Sequence, residues 1–304
     1  MKIFYTDGIA LPLPAGHQFR ADKYALLLQR LIEAGLTTSG ELTPSEPATN
    51  EQLYLVHNPD YVANVLNGKL TDKETRRIGF PWSPQLVERS KRSVGGTIAA
   101  CRAALEEGIS ANLGGGTHHA YPDHGEGYCV FNDVAIAART MQIERSARRI
   151  VILDCDVHQG NGTAAIFAGD PTVFTFSIHG EKNFPFHKEH SDMDIALPDG
   201  SGDEIYLEAL HHGVQSAIDL ANPGLAVYIA GADPFAGDRL GRLALTKAGL
   251  EERDRQVLNA CHAAGLPVAI VLGGGYARKV EDIIDIHLQT IQLAVERTHH
   301  DHLQ

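Results

Sequence analysis

Short apolar runs alternate with longer segments of helical periodicity along the whole chain. Apolar residues that recur every three or four positions indicate an amphipathic helix, as Leu250, Val257 and Cys261 do in the last such segment. Thr246 precedes that segment as a predicted N-cap. The predicted strands are residues 2–5, 110–113, 149–153, 173–177, 226–230 and 268–272, and the predicted helices are 23–34, 85–107, 135–144, 204–220 and 247–264.

This alternation predicts an α/β protein with an open, mostly parallel β-sheet and helices on both of its faces. No repeat, low-complexity tract or long linker divides the sequence, so residues 1–304 are predicted to form a single domain. In such sheets, ligands bind in the loops beyond the carboxyl ends of the strands. The polar motifs described below all follow predicted strands, which favours one site assembled at that edge.

The composition narrows the range of functions. A formal net charge of -12 disfavours direct nucleic-acid binding, which needs basic patches. No apolar run approaches the roughly 18 residues of a membrane-spanning helix, and residues 1–5 are typical of a strand rather than a signal peptide. We therefore expect a cytoplasmic protein that is not bound to a membrane, with its oligomeric state left open. The four cysteines lie far apart, so neither a disulfide framework nor a structural zinc site is expected.

The densest chemical signal follows the predicted strand 149–153. Asp154, Asp156 and His158 alternate there, so on an extended strand all three side chains would share one face. Two carboxylates and an imidazole on one edge favour a bound cation, and this ligand set suits zinc as well as iron(II) or manganese. The alternative is a strand end capped by satisfied polar residues. The Gln-Gly-Asn-Gly turn at 159–162 favours the metal, because it keeps the backbone close to the site.

Asp233 is the candidate third ligand. It follows an apolar strand and two small residues that allow another backbone to approach. Taken alone, an aspartate in this position is an ordinary turn or N-cap residue. Together with Asp156 and His158, it would leave one coordination position open for water, which is typical of catalytic rather than structural metal sites.

Two glycine-rich turns carry further candidates. His118 and His119 follow three consecutive glycines, and Tyr276 follows three more. Imidazoles titrate near neutral pH and suit proton transfer, while a tyrosine hydroxyl stabilises a developing oxyanion. The alternatives are surface-loop histidines and a tyrosine ring that caps the core. Aromatic residues within 127–133 and 183–186 are either core residues or, beside a metal, the walls of a narrow apolar channel.

Taken together, these segments resemble the zinc-dependent histone deacetylase family, and most of all its class IV branch or a bacterial relative of that branch. The matching segments occur in the family's order at residues 114–120, 127–133, 154–162, 231–241 and 273–276, and residues 17–20 and 56–61 are also similar. The resemblance implies an arginase–deacetylase fold. It also implies hydrolysis of the amide of an acylated lysine or amine.

The resemblance assigns roles residue by residue. The matched metal ligands, for zinc or for Fe2+, are Asp156, His158 and Asp233. The matched catalytic residues are His118, His119 as the general base, and Tyr276, which polarises the substrate carbonyl. Asp154 is matched to the carboxylate behind His118 and, with Ser177, to a structural K+ or Na+ site, while Asn161 stands behind His119. The matched walls of the acyl-lysine channel are Gly127, Tyr128, Phe184 and Leu240.

Two departures from the family pattern bear on mechanism and specificity. In class I members an aspartate backs the second histidine, whereas Asn161 stands here, so we expect His119 to be neutral more readily and competent as a base. Residues 76–83 hold no match to the rim aspartate of class I enzymes, which puts tight recognition of a peptide backbone in doubt. Lys23 or Arg20 is a candidate for lining an inner cavity.

Other functions remain open from the sequence. Acetylated polyamines or other small acylamines are alternative substrates, weakly favoured by the acidic charge balance. A binding module without catalysis would need a missing ligand or tyrosine, and all of the matched positions are filled. An arginase-like binuclear manganese enzyme would need more carboxylate and histidine ligands. The preferred acyl-chain length is also open.

Overall fold

The computed structural model describes residues 1–6, 9–37 and 42–301, apart from the side chains of residues 299–301. Its strands are β1 (Ile3–Tyr5), β2 (Leu42–Pro44), β3 (Ile109–Asn112), β4 (Ile150–Asp154), β5 (Val173–Gly180), β6 (Met193–Leu197), β7 (Leu225–Ile229) and β8 (Val268–Val271). These eight strands form one sheet in the order β2-β1-β3-β8-β7-β4-β5-β6. Every pair of neighbouring strands is parallel.

Helices connect the strands and cover the sheet. They are α1 (Lys23–Glu33), α2 (Asn50–Leu53), α3 (Pro59–Leu66), α4 (Asp72–Ile78), α5 (Pro84–Glu107), α6 (Asp133–Ile143), α7 (Asn161–Phe167), α8 (Asp203–Ala221), α9 (Lys247–Ala263) and α10 (Val280–Asp301). Successive residues of β4 divide between two cores: Val151 and Leu153 face α8, α9 and α10, while Ile150 and Ile152 face α5 and α6. The predicted parallel sheet with helices on both faces is therefore confirmed.

All of the elements predicted from the sequence are present, with bounds that differ by three residues or fewer. The predicted N-cap is also present, since Thr246 Oγ1 accepts a hydrogen bond from the Gly249 N–H at 2.9 Å. Strands β2 and β6 were not predicted. Both lie at the edges of the sheet, where β2 ends in Pro44 and β6 has its second residue exposed, so neither forms a continuous apolar run.

The order of the strands brings the polar segments together. Strand β4 lies between β5 and β7, with Asp154 opposite Ser177 on one side and Ile229 on the other. Strands β8 and β3 follow next to β7. Because all of these strands are parallel, the chain leaves each of them at the same edge of the sheet. The segments that follow β3, β4, β7 and β8 therefore meet there. No helix in the described part of the chain is long and apolar enough to cross a membrane.

Candidate active site

Asp156, His158 and Asp233 form a buried cluster at the carboxyl edge of the sheet. Their candidate ligand atoms, one from each residue, lie within 4.8 Å of one another. His158 Nδ1 lies 2.9 Å from Asp156 Oδ1 and 3.3 Å from Asp233 Oδ2. The fold thus brings together all three predicted ligands, two from the loop after β4 and one from the loop after β7.

The segment after β4 is a turn rather than an extended strand. Strand β4 ends at Asp154, whose Oδ1 accepts a hydrogen bond from the Asp156 N–H at 3.1 Å. Asp156 Oδ1 in turn accepts one from the His158 N–H at 3.0 Å. Bonds of this kind between a side chain and the backbone two residues on bend the chain. The prediction that Asp154, Asp156 and His158 share one face of a strand is therefore wrong, although they remain neighbours.

The hydrogen bonds of the cluster leave a place for a cation. Asp233 Oδ1 accepts from the Val157 N–H at 3.0 Å, and Asp156 Oδ2 accepts from the Gly274 N–H at 2.7 Å. Asp233 Oδ2, in contrast, is buried without a hydrogen-bond partner, because His158 at 3.3 Å lies outside hydrogen-bonding geometry. An unpaired buried carboxylate oxygen is costly unless a cation binds it.

The electrostatics of the cluster agree with this geometry. Burial raises the pKa of Asp233 to about 7, and the charge of Asp156 adds to the effect. Burial lowers the pKa of His158, but the two carboxylates outweigh it and raise that pKa to about 10. Both raised pKa values mean that additional positive charge among the three side chains is favourable. With two carboxylates and one imidazole, the residues therefore fit a divalent metal such as zinc.

His118 is held by the carboxylate that ends β4. Its Nδ1 lies 2.6 Å from Asp154 Oδ2, and both side chains are buried. Because a carboxylate only accepts, Nδ1 carries the hydrogen. Burial lowers the pKa of His118, but the charges of Asp154 and Asp156 raise it to about 9. Asp154 thus stands behind the histidine, as the resemblance implies.

His119 is held by an amide instead. Its Nδ1 lies 2.6 Å from Asn161 Oδ1, while Asn161 Nδ2 donates to the Tyr121 hydroxyl at 3.2 Å. With the Asn161 oxygen turned toward it, Nδ1 carries the hydrogen, and the lone pair of a neutral His119 lies on Nε2. Burial lowers the pKa of His119 well below its ordinary value, and the nearby charges of His118 and His158 lower it further. The direction of this shift agrees with the expectation that His119 is readily neutral.

Four predicted channel residues line one cavity of about 540 Å³ that reaches from His119, His158 and Tyr276 to the surface; they are Gly127, Tyr128, Phe184 and Leu240. The ring of Phe184 stands edge-on to His119, with 4.9 Å between their centroids. Gly127 has a φ of +56°, and a Cβ there would lie 2.7 Å from His119 Cδ2, so no larger residue fits.

A second, smaller cavity of about 50 Å³ lies behind the ligands. Lys23 lines it as predicted, with its Nζ 5.7 Å from the ring centroid of Tyr276. Arg20 does not line it and instead pairs with Asp22 at 2.6 Å. Ser177, the other predicted cation-site residue, is buried opposite Asp154, and its hydroxyl lies 2.9 Å from His179 Nδ1.

Two sets of residues in the site were not assigned a role from the sequence. Asp238 and Arg239 hydrogen-bond the backbone of Tyr276 from the loop that also carries Asp233. Beneath the ligands, the fully buried Arg253 donates to the carbonyl of Cys155 at 3.3 Å and to that of Gly231. Asp238 lies inside a recognised motif, but an arginine on a helix carries no local signal of such a role.

The chain is similar over most of its length to proteins of one enzyme family. The model of the histone deacetylase domain matches residues 17–291. The chain is 30% identical to the histone deacetylase-like amidohydrolase of Pseudomonas aeruginosa, with 88% of this chain and 74% of that one aligned. It is 47% identical to an uncharacterized protein of Picosynechococcus sp., over 94% and 95% of the two chains. The crystal structure of a histone deacetylase homologue from Aquifex aeolicus has a TM-score of 0.81 at 24% identity and covers 95% of this chain and 83% of its own.

The matching domain and the amidohydrolase relative show that the protein is a hydrolase that acts on amides. The chain belongs to the histone deacetylase family. Its narrower likeness to the class IV branch stays a prediction.

Proposed function

We propose that this protein is a zinc-dependent deacylase that hydrolyses the amide of acylated lysine side chains. The observation that carries the proposal is the buried cluster of Asp156, His158 and Asp233, with its unpaired carboxylate oxygen, at the inner end of a cavity that His119 and Tyr276 also line. A zinc ion bound there would polarise the amide carbonyl and acidify the attacking water. Fe2+ suits the same ligand set.

His119 is the proposed general base. Its Nδ1–H is engaged with Asn161, so the lone pair on Nε2 is available to take the proton of the attacking water. A protonated histidine of the His118–His119 pair then delivers a proton to the leaving amine. The two ring centroids are 4.2 Å apart, so the proposal gives both imidazoles access to the same reacting group.

Tyr276 is the proposed donor to the carbonyl oxygen as that oxygen gains negative charge. Its side chain borders both the outer and the inner cavity, next to the ligand cluster. A hydrogen-bond donor that is in place before the reaction would stabilise this charge with little reorganisation in the transition state.

The aromatic channel supports a substrate with an extended apolar linker. Tyr128 and Phe184 offer ring surfaces to the methylene chain of an acylated lysine, while Gly127 leaves the backbone close to it. A histone deacetylase homologue that is 24% identical to this chain has been solved in complex with SAHA, so a protein of this fold binds that compound. We further propose a K+ or Na+ site at Asp154 and Ser177, and the cytoplasmic location stays a prediction.

The proposal is tested with metal-free protein that is reconstituted with zinc and assayed on lysine peptides with acyl chains of increasing length. Tyr276→Phe should keep its zinc and lose roughly 10²–10³-fold in kcat, because one oxyanion donor is removed. Tyr54→Phe, at a tyrosine that is 42% exposed and outside the site, is the matched control and should be fully active.

Asp233→Ala tests the ligand set separately and should lower the zinc content measured by elemental analysis. Near-normal turnover by Tyr276→Phe would contradict its assigned role, and unchanged zinc in Asp233→Ala would contradict the assigned ligands. The peptide with the highest kcat/KM would define the acyl-chain length.

A further inference from the structure

Four cations border the outer part of the 540 Å³ cavity. The basic rim consists of Arg76, Arg77, Lys182 and Arg242, all of them exposed. Glu126 is the one carboxylate among the described residues that line this cavity, and it lies 3.6 Å from His124 Nε2. A chain with a net charge of -12 thus has a positively charged entrance to its candidate active site.

Structural roles account for only part of the basic rim. Arg76 and Arg77 lie in the last turn of α4, where cations interact favourably with the helix dipole. Arg242 lies 3.2 Å from Asp199 in an exposed pair. Among the described residues, no carboxylate oxygen lies within 4.0 Å of the cations of Arg76, Arg77 or Lys182. Helix stabilisation does not explain Lys182, which comes from a loop.

Backbone hydrogen bonds link the end of α4, which carries Arg76 and Arg77, to the channel wall. The Gly127 N–H donates to the carbonyl of Arg77 at 3.2 Å, and the Tyr128 N–H donates to that of Ile78 at 2.7 Å. The end of α4 is therefore bonded to the aromatic wall, so the backbone of the two arginines lies beside it.

Asn183 links the loops that carry the other two cations, Lys182 and Arg242, to the channel. Its Nδ2 donates to the carbonyl of Leu240 at 2.7 Å, and its Oδ1 accepts from the Arg242 N–H at 3.1 Å. Lys182 is its chain neighbour on one side, and Phe184 is its neighbour on the other. The side chain of Asn183 is buried, so it connects the two loops that carry Lys182 and Arg242.

We propose that the basic rim selects acyl-amide substrates that carry carboxylates close to the acylated nitrogen. Acidic residues that flank an acylated lysine supply such carboxylates, and so does the α-carboxylate of a C-terminal acylated lysine. The inference rests on the proposed deacylase function and names its substrate class. It disfavours acetylated polyamines, whose remaining ammonium groups would meet four cations at the entrance.

The test compares matched peptides with the same internal acyl-lysine, flanked by aspartate, by glutamine or by lysine, on the zinc-loaded enzyme. A fourth peptide ends in the acyl-lysine. Comparing it with the aspartate-flanked peptide shows whether the α-carboxylate or side-chain carboxylates are recognised. We expect kcat/KM for the acidic peptide to exceed that for the basic one by about tenfold or more at low salt. The difference should shrink as the Debye length falls from roughly 30 Å at ~0.01 M salt to roughly 3 Å at ~1 M.

The double substitution Arg76→Gln/Arg77→Gln should reduce the preference for the acidic peptide over the glutamine-flanked peptide several-fold, mainly through KM. Arg148→Gln/Arg149→Gln is the matched control. It removes the same charge from two exposed neighbours at the amino end of β4, away from the site, and should keep the wild-type preference.

The outcomes separate this inference from the proposed function. If the enzyme hydrolyses none of the peptides, the proposed function itself fails. If it hydrolyses all of them with equal kcat/KM, or favours the basic peptide, the deacylase function stands and the inference is overturned. An unchanged preference in Arg76→Gln/Arg77→Gln, or an equal loss in the control, also overturns it.

Discussion

The backbone N–H of Tyr276 donates a hydrogen bond to Asp238 Oδ2 at 2.6 Å. The other oxygen of this carboxylate accepts from the Leu240 N–H at 2.8 Å and from the Gly241 N–H at 2.9 Å. Arg239 then donates to the carbonyl of Tyr276 at 2.9 Å. The loop after β7 that carries Asp233, a proposed metal ligand, therefore holds the proposed oxyanion donor from both sides of its peptide backbone.

Asp238→Asn should lower kcat by about 10–100-fold, because an amide offers one acceptor oxygen in place of two and Tyr276 loses its fixed position. Zinc content should stay close to that of the wild type. The double variant Asp238→Asn/Tyr276→Phe should be no slower than Tyr276→Phe alone, since Asp238 acts through the tyrosine. Independent, multiplicative losses in kcat would show that Asp238 acts in another way.

Gly274→Ala should weaken zinc binding by about 10–100-fold while the protein stays folded. A Cβ at this position would overlap the Asp233 carboxylate and lie 2.7 Å from Asp156 Oδ2, so both ligands would have to move. Competition with a chelator measures the affinity, and circular dichroism checks the fold. Gly224→Ala is the control, because its Cβ would meet nothing closer than the Arg149 carbonyl at 3.9 Å. Equal zinc affinity in the two variants would contradict the assigned site.

Local patterns in the sequence were enough to find the side chains that the fold brings together at the candidate site. Asp156 and His158 lie in one short motif behind an apolar run, and the parallel sheet predicts that the loop with Asp233 meets them. Their geometry was not predictable, because the turn after β4 depends on side chain–backbone bonds that compete with the extended strand.

The supporting groups were not predictable for a different reason. Arg253 lies among other charged residues on α9 and has the sequence context of a solvent-exposed position, yet it is fully buried by tertiary packing. The composition of the chain could not predict the basic rim either. A net charge of -12 describes the whole chain, whereas the sign of the entrance depends on four residues from α4 and two loops.

Arg253→Met should destabilise the protein by about 3–5 kcal/mol, because it leaves the carboxylate of Asp254 buried without its cation. Arg253 Nε donates to Asp254 Oδ1 at 2.8 Å, and both side chains are fully buried. Zinc affinity should fall as well, since Arg253 also holds the carbonyls of Cys155 and Gly231 next to the ligand loops.

Urea unfolding of the zinc-free protein measures the loss of stability. The double variant Arg253→Met/Asp254→Asn should be more stable than Arg253→Met alone, because the unpaired charge is gone while the amide oxygen still accepts from the Tyr228 hydroxyl. Arg255→Met, on the exposed side of α9, is the control and should change stability by less than about 1 kcal/mol. If Arg253→Met changes neither the stability nor the zinc affinity, Arg253 does not support the site.

His57 should make the stability of the protein depend on pH below neutrality. The Asn132 N–H donates to His57 Nε2 at 2.9 Å, and His57 Nδ1 lies 2.9 Å from the Tyr121 carbonyl, so the folded state binds the neutral ring. Burial lowers the pKa of His57 from 6.5 to about 4. Between these two values the unfolded chain binds the proton and the folded protein does not, so stability is complete above the unfolded pKa and falls as the pH drops.

The loss attributable to His57 should approach about 3 kcal/mol as the pH falls from 7 to ~4. His57→Gln keeps a donor and an acceptor but cannot titrate. Its free energy of unfolding in urea should therefore fall less steeply over this interval than that of the wild type, even if the variant is less stable at pH 7. Parallel curves for the two proteins would mean that the buried imidazole does not contribute to the acid sensitivity of the fold.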